Sequence, residues 1–71
     1  MKEHSFFLEE NEYIELCDLL KKLGLCENGG EAKNVIAGGA VLVDDNVETR
    51  KRCKIKRGQF VKYKGQVIKV V

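Results

Sequence analysis

Apolar residues recur at steps of three and four from residue 12 onward, which is the spacing of an amphipathic helix. Acidic residues crowd the first half of this stretch, and Lys21 and Lys22 lie at its end, an arrangement that suits the helix dipole. Gly24 suits a C-terminal stop. The pattern therefore predicts a first helix between Glu12 and Gly24, with an apolar face made of Tyr13, Leu16, Cys17, Leu20 and Leu23.

The segment LCENGGEAKNVIAGG predicts a second, shorter helix. Asn28 is a good N-cap, and Glu31 follows three residues later, as in a capping box. The apolar face and the glycines that end this helix are Ala32, Val35, Ile36, Gly38 and Gly39. Lys33 and Asn34 lie off the apolar face, so they point to solvent or to a ligand.

After residue 39 the apolar positions alternate, as they do in strands. The segment AVLVDDNVE predicts a hairpin with a tight turn at residues 44–46, and FVKY and QVIKVV predict a second hairpin with Lys64 and Gly65 at its tip. Residues 1–11 show weak periodicity and are expected to form a flexible or strand-like arm.

The fold class predicted from this order is α+β. Two short N-terminal helices would precede a small antiparallel sheet of about four strands. A chain of 71 residues is long enough for one small domain. We therefore expect an arm over residues 1–11 and a single domain over residues 12–71.

Charge is divided unevenly along the chain. Residues 1–49 carry four lysines and eleven acids, a net charge of −7, whereas residues 50–71 carry nine Lys or Arg and no acid, a net charge of +9. The total is only +2. Such asymmetry between halves suggests an anionic partner, although the two halves could also neutralise each other within one fold.

Six cations fall within eight positions, a segment called the basic run here: Arg50, Lys51, Arg52, Lys54, Lys56 and Arg57. The acids lie elsewhere in the sequence, so we expect that not all six are paired, and their mutual repulsion favours an anionic ligand. Strand alternation would place Arg50, Arg52, Lys54 and Lys56 on one side, and would turn Lys51 toward the core unless it lies in an irregular loop. A nucleic acid, a plain solvated strand, an acidic protein and membrane headgroups are all compatible with this charge.

Enzymatic chemistry finds little support. The single histidine, His4, lies in the arm without an evident nucleophile to activate, and no glycine pair fits a phosphate-binding motif. The spacings of Cys17, Cys26 and Cys53 fit neither a disulfide framework nor a zinc site. We therefore predict a non-catalytic protein with free thiols and with no metal or cofactor.

Hydropathy bears on the location of the protein. No apolar run approaches the roughly 18 residues that a membrane helix needs, and none resembles a signal-peptide core. We therefore expect a cytoplasmic protein with no membrane partner.

A helix-turn-helix followed by a glycine and a short hairpin resembles the S-four (S4) RNA-binding domain, the αL module. The resemblance covers about residues 13 to 63 as an ordered series, in which no single position is specific. The matching positions are Leu16, Leu20, Gly24, Ala32, Val35, Ile36, Gly39, Val41, Val43, Asp44, Ile55 and Gly58. The segments ELCDLL and VETRKRCKI look most like the small stand-alone YbcJ-like bacterial proteins of this family, in which TRKRCK belongs to the sequence signature.

The departures from the family pattern concern its usual RNA contacts. Glu15 stands where the family has an arginine, Cys17 stands where it has an aspartate, and Asn28–Gly29 replace a Ser–Arg pair. Asparagine can replace serine as a cap, but glycine cannot replace a phosphate-binding arginine. The resemblance therefore suggests that cations on the strand side compensate for the missing helix arginine.

Together these features predict a non-catalytic domain that docks structured RNA, with the ribosome as one candidate partner, and we expect a monomer. The predicted RNA-binding residues are Lys33, Asn34, Arg50, Lys51, Arg52, Lys54, Lys56 and Arg57. Two alternatives stay open. One is a protein-interaction module that uses the basic strand or the acidic face of the first helix, and the other is a general polyanion or DNA binder.

Overall fold

The computed structural model describes residues 2–71, which contain two helices and seven strands. In chain order they are β1 (Lys2–Phe6), β2 (Tyr13–Glu15), α1 (Leu16–Lys22), α2 (Gly29–Ala37), β3 (Leu42–Val43), β4 (Asn46–Val47), β5 (Lys54–Lys56), β6 (Phe60–Tyr63) and β7 (Gln66–Val70). The α+β class and the two helices are confirmed.

The strands form two separate sheets. Five of them make a mixed sheet in the order β1-β7-β6-β3-β4, in which β1 runs parallel to β7 and the other pairs are antiparallel. The other two, β2 and β5, form an antiparallel pair that we call the ribbon. The predictions that the helices come first, and that the sheet is antiparallel with about four strands, are therefore wrong. Two strands precede α1, and the larger sheet has five.

The N-terminal segment is strand-like rather than irregular over residues 2–6. Strand β1 pairs with β7 along its whole length, from Lys2 opposite Gln66 to Phe6 opposite Val70. Beyond the strand, Leu8 is almost completely buried in the core. Whether residues 1–11 behave as an arm distinct from the domain stays a prediction.

The first helix begins later than its apolar spacing predicted. Residues 13–15 are extended because they pair with β5, so α1 starts at Leu16 and Glu15 occupies its N-cap position without a side-chain cap. The second helix follows its local signals. Asn28 Oδ1 accepts the backbone N–H of Glu31 at 2.8 Å, and Glu31 Oε2 accepts the N–H of Glu27 at 3.2 Å, one residue before the N-cap.

Both predicted hairpins are confirmed. Asp44 and Asp45 both have positive φ angles (50° and 67°), as do Lys64 and Gly65 (49° and 75°). Two successive positive φ angles are the mark of the tight turns whose twist matches that of paired strands. Gly65 lacks a Cβ, so it adopts this conformation without strain.

One apolar cluster joins the helices to both sheets. Its completely buried members include Leu16, Leu19, Leu20, Ala32, Ile36, Val41, Ile55, Val61 and Ile68. Ile55 is the contribution of β5, which ties the ribbon to the same core as the five-stranded sheet. Neither helix within residues 2–71 has the length and apolar character required to cross a membrane.

Candidate nucleic-acid interface

The ribbon has one buried and one outer face. Ile14 of β2 lies directly opposite Ile55 of β5, and both side chains are buried. Because successive strand residues point to opposite sides, the neighbours of these isoleucines lie on the outer face. This outer face holds Tyr13 opposite Lys56 and Glu15 opposite Lys54.

The chain that leads into β5 is fastened to the start of α1. The backbone N–H of Leu16 donates to the carbonyl of Cys53 at 2.9 Å, and that of Cys17 donates to the carbonyl of Lys51 at 3.2 Å. These bonds satisfy two of the N–H groups that the first turn of a helix leaves without partners. The turn at residues 51–52 is held in place, and the side chain of Lys51 is exposed. Lys51 therefore lies in irregular backbone, the case in which it was expected not to face the core.

Two arginines of the basic run are paired with acids. Arg50 binds Glu48 through two bonds, Nε to Oε2 at 2.9 Å and Nη2 to Oε1 at 3.0 Å. Arg52 Nε lies 3.1 Å from Glu15 Oε2. The hydrogen bonds from the Arg50 side chain and backbone hold the pKa of Glu48 at about 2, and the same pairing raises the pKa of Arg50.

The other four cations of the basic run differ from these arginines. Arg57 Nη2 donates to the backbone carbonyl of Glu9 at 2.9 Å. Lys51, Lys54 and Lys56 are exposed and form no ion pair within residues 2–71. The expectation that not all six cations are paired is therefore confirmed. The two acids that pair with arginines are Glu48, two positions before Arg50, and Glu15 of β2.

The second helix carries its predicted site residues separately. Lys33 and Asn34 are exposed on α2, as the helical pattern predicted. In the described part of the chain, no hydrogen bond or ion pair connects either side chain to the ribbon; α2 packs against α1, which follows directly from β2. The placement leaves an RNA contact by Lys33 and Asn34 a prediction.

Tyr13 lies where the sequence pattern did not place it. Its spacing from Leu16 and Cys17 suggested the apolar face of the first helix, but the residue is 39% exposed on the outer face of the ribbon. Lys54 Nζ lies 5.0 Å from the centroid of its ring. No local signal in the sequence marks this position, because it follows from the pairing of β2 with β5, which lies far away along the chain.

The three cysteines are free thiols. Burial raises the pKa of Cys26 and of Cys53, so both thiols are protonated and weakly nucleophilic at neutral pH. Cys17 Sγ lies with carboxylate oxygens of Glu15 and Asp18 in a group whose atoms are all within 4.8 Å of one another. Such a group offers three ligands, one fewer than a structural zinc site uses, and Glu15 already binds Arg52.

A cleft of about 620 Å³ adjoins the ribbon beside α1. Its lining combines four acids with apolar side chains and one lysine: Phe6, Leu8, Glu10, Asn11, Glu12, Tyr13, Ile14, Glu15, Asp18 and Lys22. Glu12, Glu15 and Asp18, which the sequence placed on the acidic face of the first helix, line this cleft, but only Asp18 lies on α1.

Comparison with known proteins agrees with this fold. The family model described as the S4 domain matches residues 6–71. The chain is 52% identical over 67 residues to "Putative RNA-binding protein YbcJ" of Escherichia coli (strain K12), with 94% of this chain and 96% of that protein covered. The same identity and coverage hold for "Uncharacterized protein YbcJ" of Shigella flexneri.

A solved structure is also similar. The solution structure of YbcJ from E. coli superimposes with a TM-score of 0.73 at 52% identity, covering 94% of this chain and 85% of that one. That structure is described as revealing an αL motif involved in RNA binding. The chain described here belongs to the S4 domain family, and the resemblance to its YbcJ-like members is confirmed.

The structure separates the positions that match the family pattern from Glu15, which departs from it. The family positions Leu16, Leu20 and Ile36 are completely buried, so they serve the core. Glu15, where the resemblance led us to expect an arginine, binds Arg52 in the turn that precedes β5. A guanidinium is therefore present at this part of the surface, supplied by the basic run rather than by the start of the first helix.

Proposed function

We propose that this protein binds structured RNA without catalysing a reaction on it. The observation that carries the proposal is a set of three exposed lysines in an S4 domain that have no acid partner in the described chain. Lys54 and Lys56 lie on the ribbon, and Lys51 lies in the turn that leads into it. Phosphate oxygens are the partners that such uncompensated charge favours, and release of their counterions drives binding.

The paired arginines have a secondary role in this proposal. Arg52 can reach a phosphate while it keeps its bond to Glu15, because a guanidinium has five N–H donors and a single carboxylate does not occupy them all. Arg50 uses two of its nitrogens on Glu48, so fewer donors remain for RNA. The predicted site is thus graded: the three lysines contribute most, and Arg52 and Arg57 contribute next.

The named relative supports RNA as the ligand. E. coli YbcJ bears an RNA-binding description, and its structure is connected with the same activity. Because the relative is 52% identical over nearly the whole chain, we extend that activity to this protein. A ribosomal partner, a monomeric state and a cytoplasmic location belong to the same proposal and are compatible with a small RNA-binding domain.

The experiment measures the affinity for a structured RNA at several salt concentrations. Each contacted phosphate contributes about 0.7–0.9 to the slope of log K against log salt, so replacing Lys51, Lys54 and Lys56 by glutamine should flatten the slope by about 2 to 3. The matched control replaces Lys21, Lys22 and Lys64, which are also exposed and carry the same charge.

The outcomes separate the classes of function. An unchanged slope in the ribbon variant, or an equal change in the control, would show that the proposed surface is wrong. Equal competition by duplex DNA at one ionic strength would indicate a general polyanion binder. A partner that copurifies after nuclease treatment and is lost in Glu12→Gln and Asp18→Asn variants would instead favour protein docking at the acidic cleft.

A further inference from the structure

Tyr13 is an exposed aromatic residue with two lysines of β5 beside it, Lys54 and Lys56, while acids that include Glu12 and Glu15 line the cleft on its other side. The chain has three phenylalanines and two tyrosines. Tyr63 is buried, while Phe6 and Phe60 are half-buried. Phe7 is 68% exposed, but in the described part of the chain no lysine lies over its ring.

Tyr13 of β2 lies beside two lysines of β5 that form no ion pair within residues 2–71. Lys56 lies directly opposite Tyr13 in the strand register, and Lys54 Nζ lies 5.0 Å from the centre of the tyrosine ring. An ammonium at that distance is attracted to an aromatic ring, and it restricts the ring's orientation. Beneath them the buried pair Ile14 and Ile55 fixes both strands to the core.

This combination is suited to a nucleotide with an accessible base. Proteins that bind unpaired nucleotides place aromatic rings for base stacking beside cations that follow the phosphate backbone. A base in a paired helix is already stacked on its neighbours and cannot offer its face to a ring. Sequence-dependent RNA recognition therefore uses loops, bulges and ends.

A purely structural role accounts for less of the geometry. The Lys54 stem could cover Tyr13 simply to shield apolar surface, and single exposed aromatic residues are common. That role would not require a second unpaired lysine opposite the ring, nor a ring left more than one-third exposed.

We propose that Tyr13 stacks on an unpaired base while Lys54 and Lys56 bind the phosphates on either side of it. The preferred ligand class is then RNA in which an unpaired base adjoins a paired stem, rather than an uninterrupted helix. This inference rests on the proposed RNA-binding function and specifies which feature of the RNA is recognised.

The test uses two RNA hairpins with the same stem sequence, in which a non-nucleotide linker replaces the loop; one is fully paired and the other has a single bulged 2-aminopurine. Parent protein should bind the bulged hairpin more tightly. Tyr13→Ala should weaken that binding by about 5- to 100-fold, the range for loss of one stacked base, and should leave the paired hairpin within about twofold. Tyr13→Phe should retain the preference, and Phe7→Ala, the matched exposed aromatic, should change neither affinity.

Fluorescence of the bulged base distinguishes stacking from a purely structural role of Tyr13, because a structural role would not change the fluorescence. Stacking on Tyr13 should quench 2-aminopurine in the parent and in Tyr13→Phe, but not in Tyr13→Ala. Circular dichroism checks folding. If the alanine variant unfolds, Tyr13→Thr replaces it, because the β-branched threonine favours a strand as tyrosine does and still removes the ring.

The possible failures differ from one another. If the parent binds both hairpins equally and the Tyr13 variants leave the fluorescence unchanged, stacking is wrong while RNA binding stands. If neither hairpin binds at low salt, the proposed function fails, and the stacking inference fails with it.

Discussion

The ribbon and the five-stranded sheet both carry lysines, but these lysines differ in whether they form ion pairs. In the sheet, Lys62 Nζ lies 2.6 Å from Asp45 Oδ1, and Lys69 Nζ lies 3.4 Å from Glu3 Oε1. On the ribbon, Lys54 and Lys56 have no such partner in the chain from residue 2 onward. Cations that an acid already neutralises have less to gain from a phosphate, so the part of the sheet around Lys62 and Lys69 is the poorer RNA surface. Lys2 of β1 is the exception, because it forms no ion pair within residues 2–71.

The two regions also differ in what holds them. The sheet has five strands and several buried side chains, whereas the ribbon has two strands of three residues and one buried pair, Ile14 and Ile55. A hairpin-sized sheet is marginal by itself, so the ribbon depends on its attachment to the core and to the start of α1. The region proposed for binding is thus anchored at few points, and its function should be sensitive to them.

The largest effect is expected from truncating the anchor of each region. Ile55→Ala and Ile68→Ala each remove a completely buried side chain, so each should lower the free energy of unfolding by about 2–5 kcal/mol. RNA affinity should separate them. Ile55→Ala loosens the strand that carries Lys54 and Lys56, whereas Ile68→Ala acts on β7.

Denaturant unfolding and RNA binding would be measured at a temperature at which both variants are folded. We expect weaker RNA binding for Ile55→Ala and nearly parental binding for Ile68→Ala. An equal loss of affinity in both would mean that the ribbon is not an independently anchored binding region.

Local signals in the sequence specified the parts of the fold that depend on neighbouring residues. Asn28 and Glu31 predicted the start of α2, and Lys64 and Gly65 predicted a hairpin tip, because a cap and a tight turn each need only a few adjacent residues. The parallel pairing of β1 with β7 joins segments at opposite ends of the chain, and a short segment does not encode its distant partner.

The ribbon shows the same limit at the candidate site. Tyr13 fits the helical spacing of α1, yet pairing with β5 overrides that preference and turns the ring outward. Exposure of Lys54 and Lys56 followed from strand alternation, but the bond between Arg52 and Glu15 joins residues 37 positions apart. The cations could therefore be predicted from the sequence, whereas the pairing of Arg52 with the distant Glu15 could not. Glu48 is different, because it lies only two positions from Arg50 and is a local partner.

A smaller effect is expected from releasing Arg52. Glu15→Gln removes the carboxylate that neutralises this arginine on the ribbon, so RNA affinity should rise several-fold. If Arg52 then contacts one further phosphate, the salt slope should steepen by about 0.7–0.9. Glu27→Gln is the control, because Glu27 is exposed, belongs to no ion pair within residues 2–71, and changes the charge equally.

Two results would contradict this expectation. An equal gain for Glu27→Gln would mean that only the net charge matters. A loss of affinity for Glu15→Gln would mean that the carboxylate positions Arg52 for binding, in which case the paired arginine belongs with the unpaired lysines of the ribbon.

The smallest effect concerns stability at low pH and tests whether Arg50 is committed to Glu48. Because Arg50 holds the pKa of Glu48 at about 2, below the ordinary 4.5, the folded state favours the charged carboxylate. The stability contributed by Glu48 should be complete above pH 4.5 and should disappear as the pH falls toward about 2. The difference in unfolding free energy between the parent and Glu48→Gln should therefore shrink over this window. This difference should be small at every pH, since Arg50 is largely exposed.

Carbon-detected NMR titration of the Glu48 carboxyl measures its pKa directly, and Arg50→Gln should return that pKa toward 4.5. An unshifted pKa in the parent would mean that Arg50 is not held by Glu48 in solution, and Arg50 would then join Lys51, Lys54 and Lys56 as a cation available to RNA.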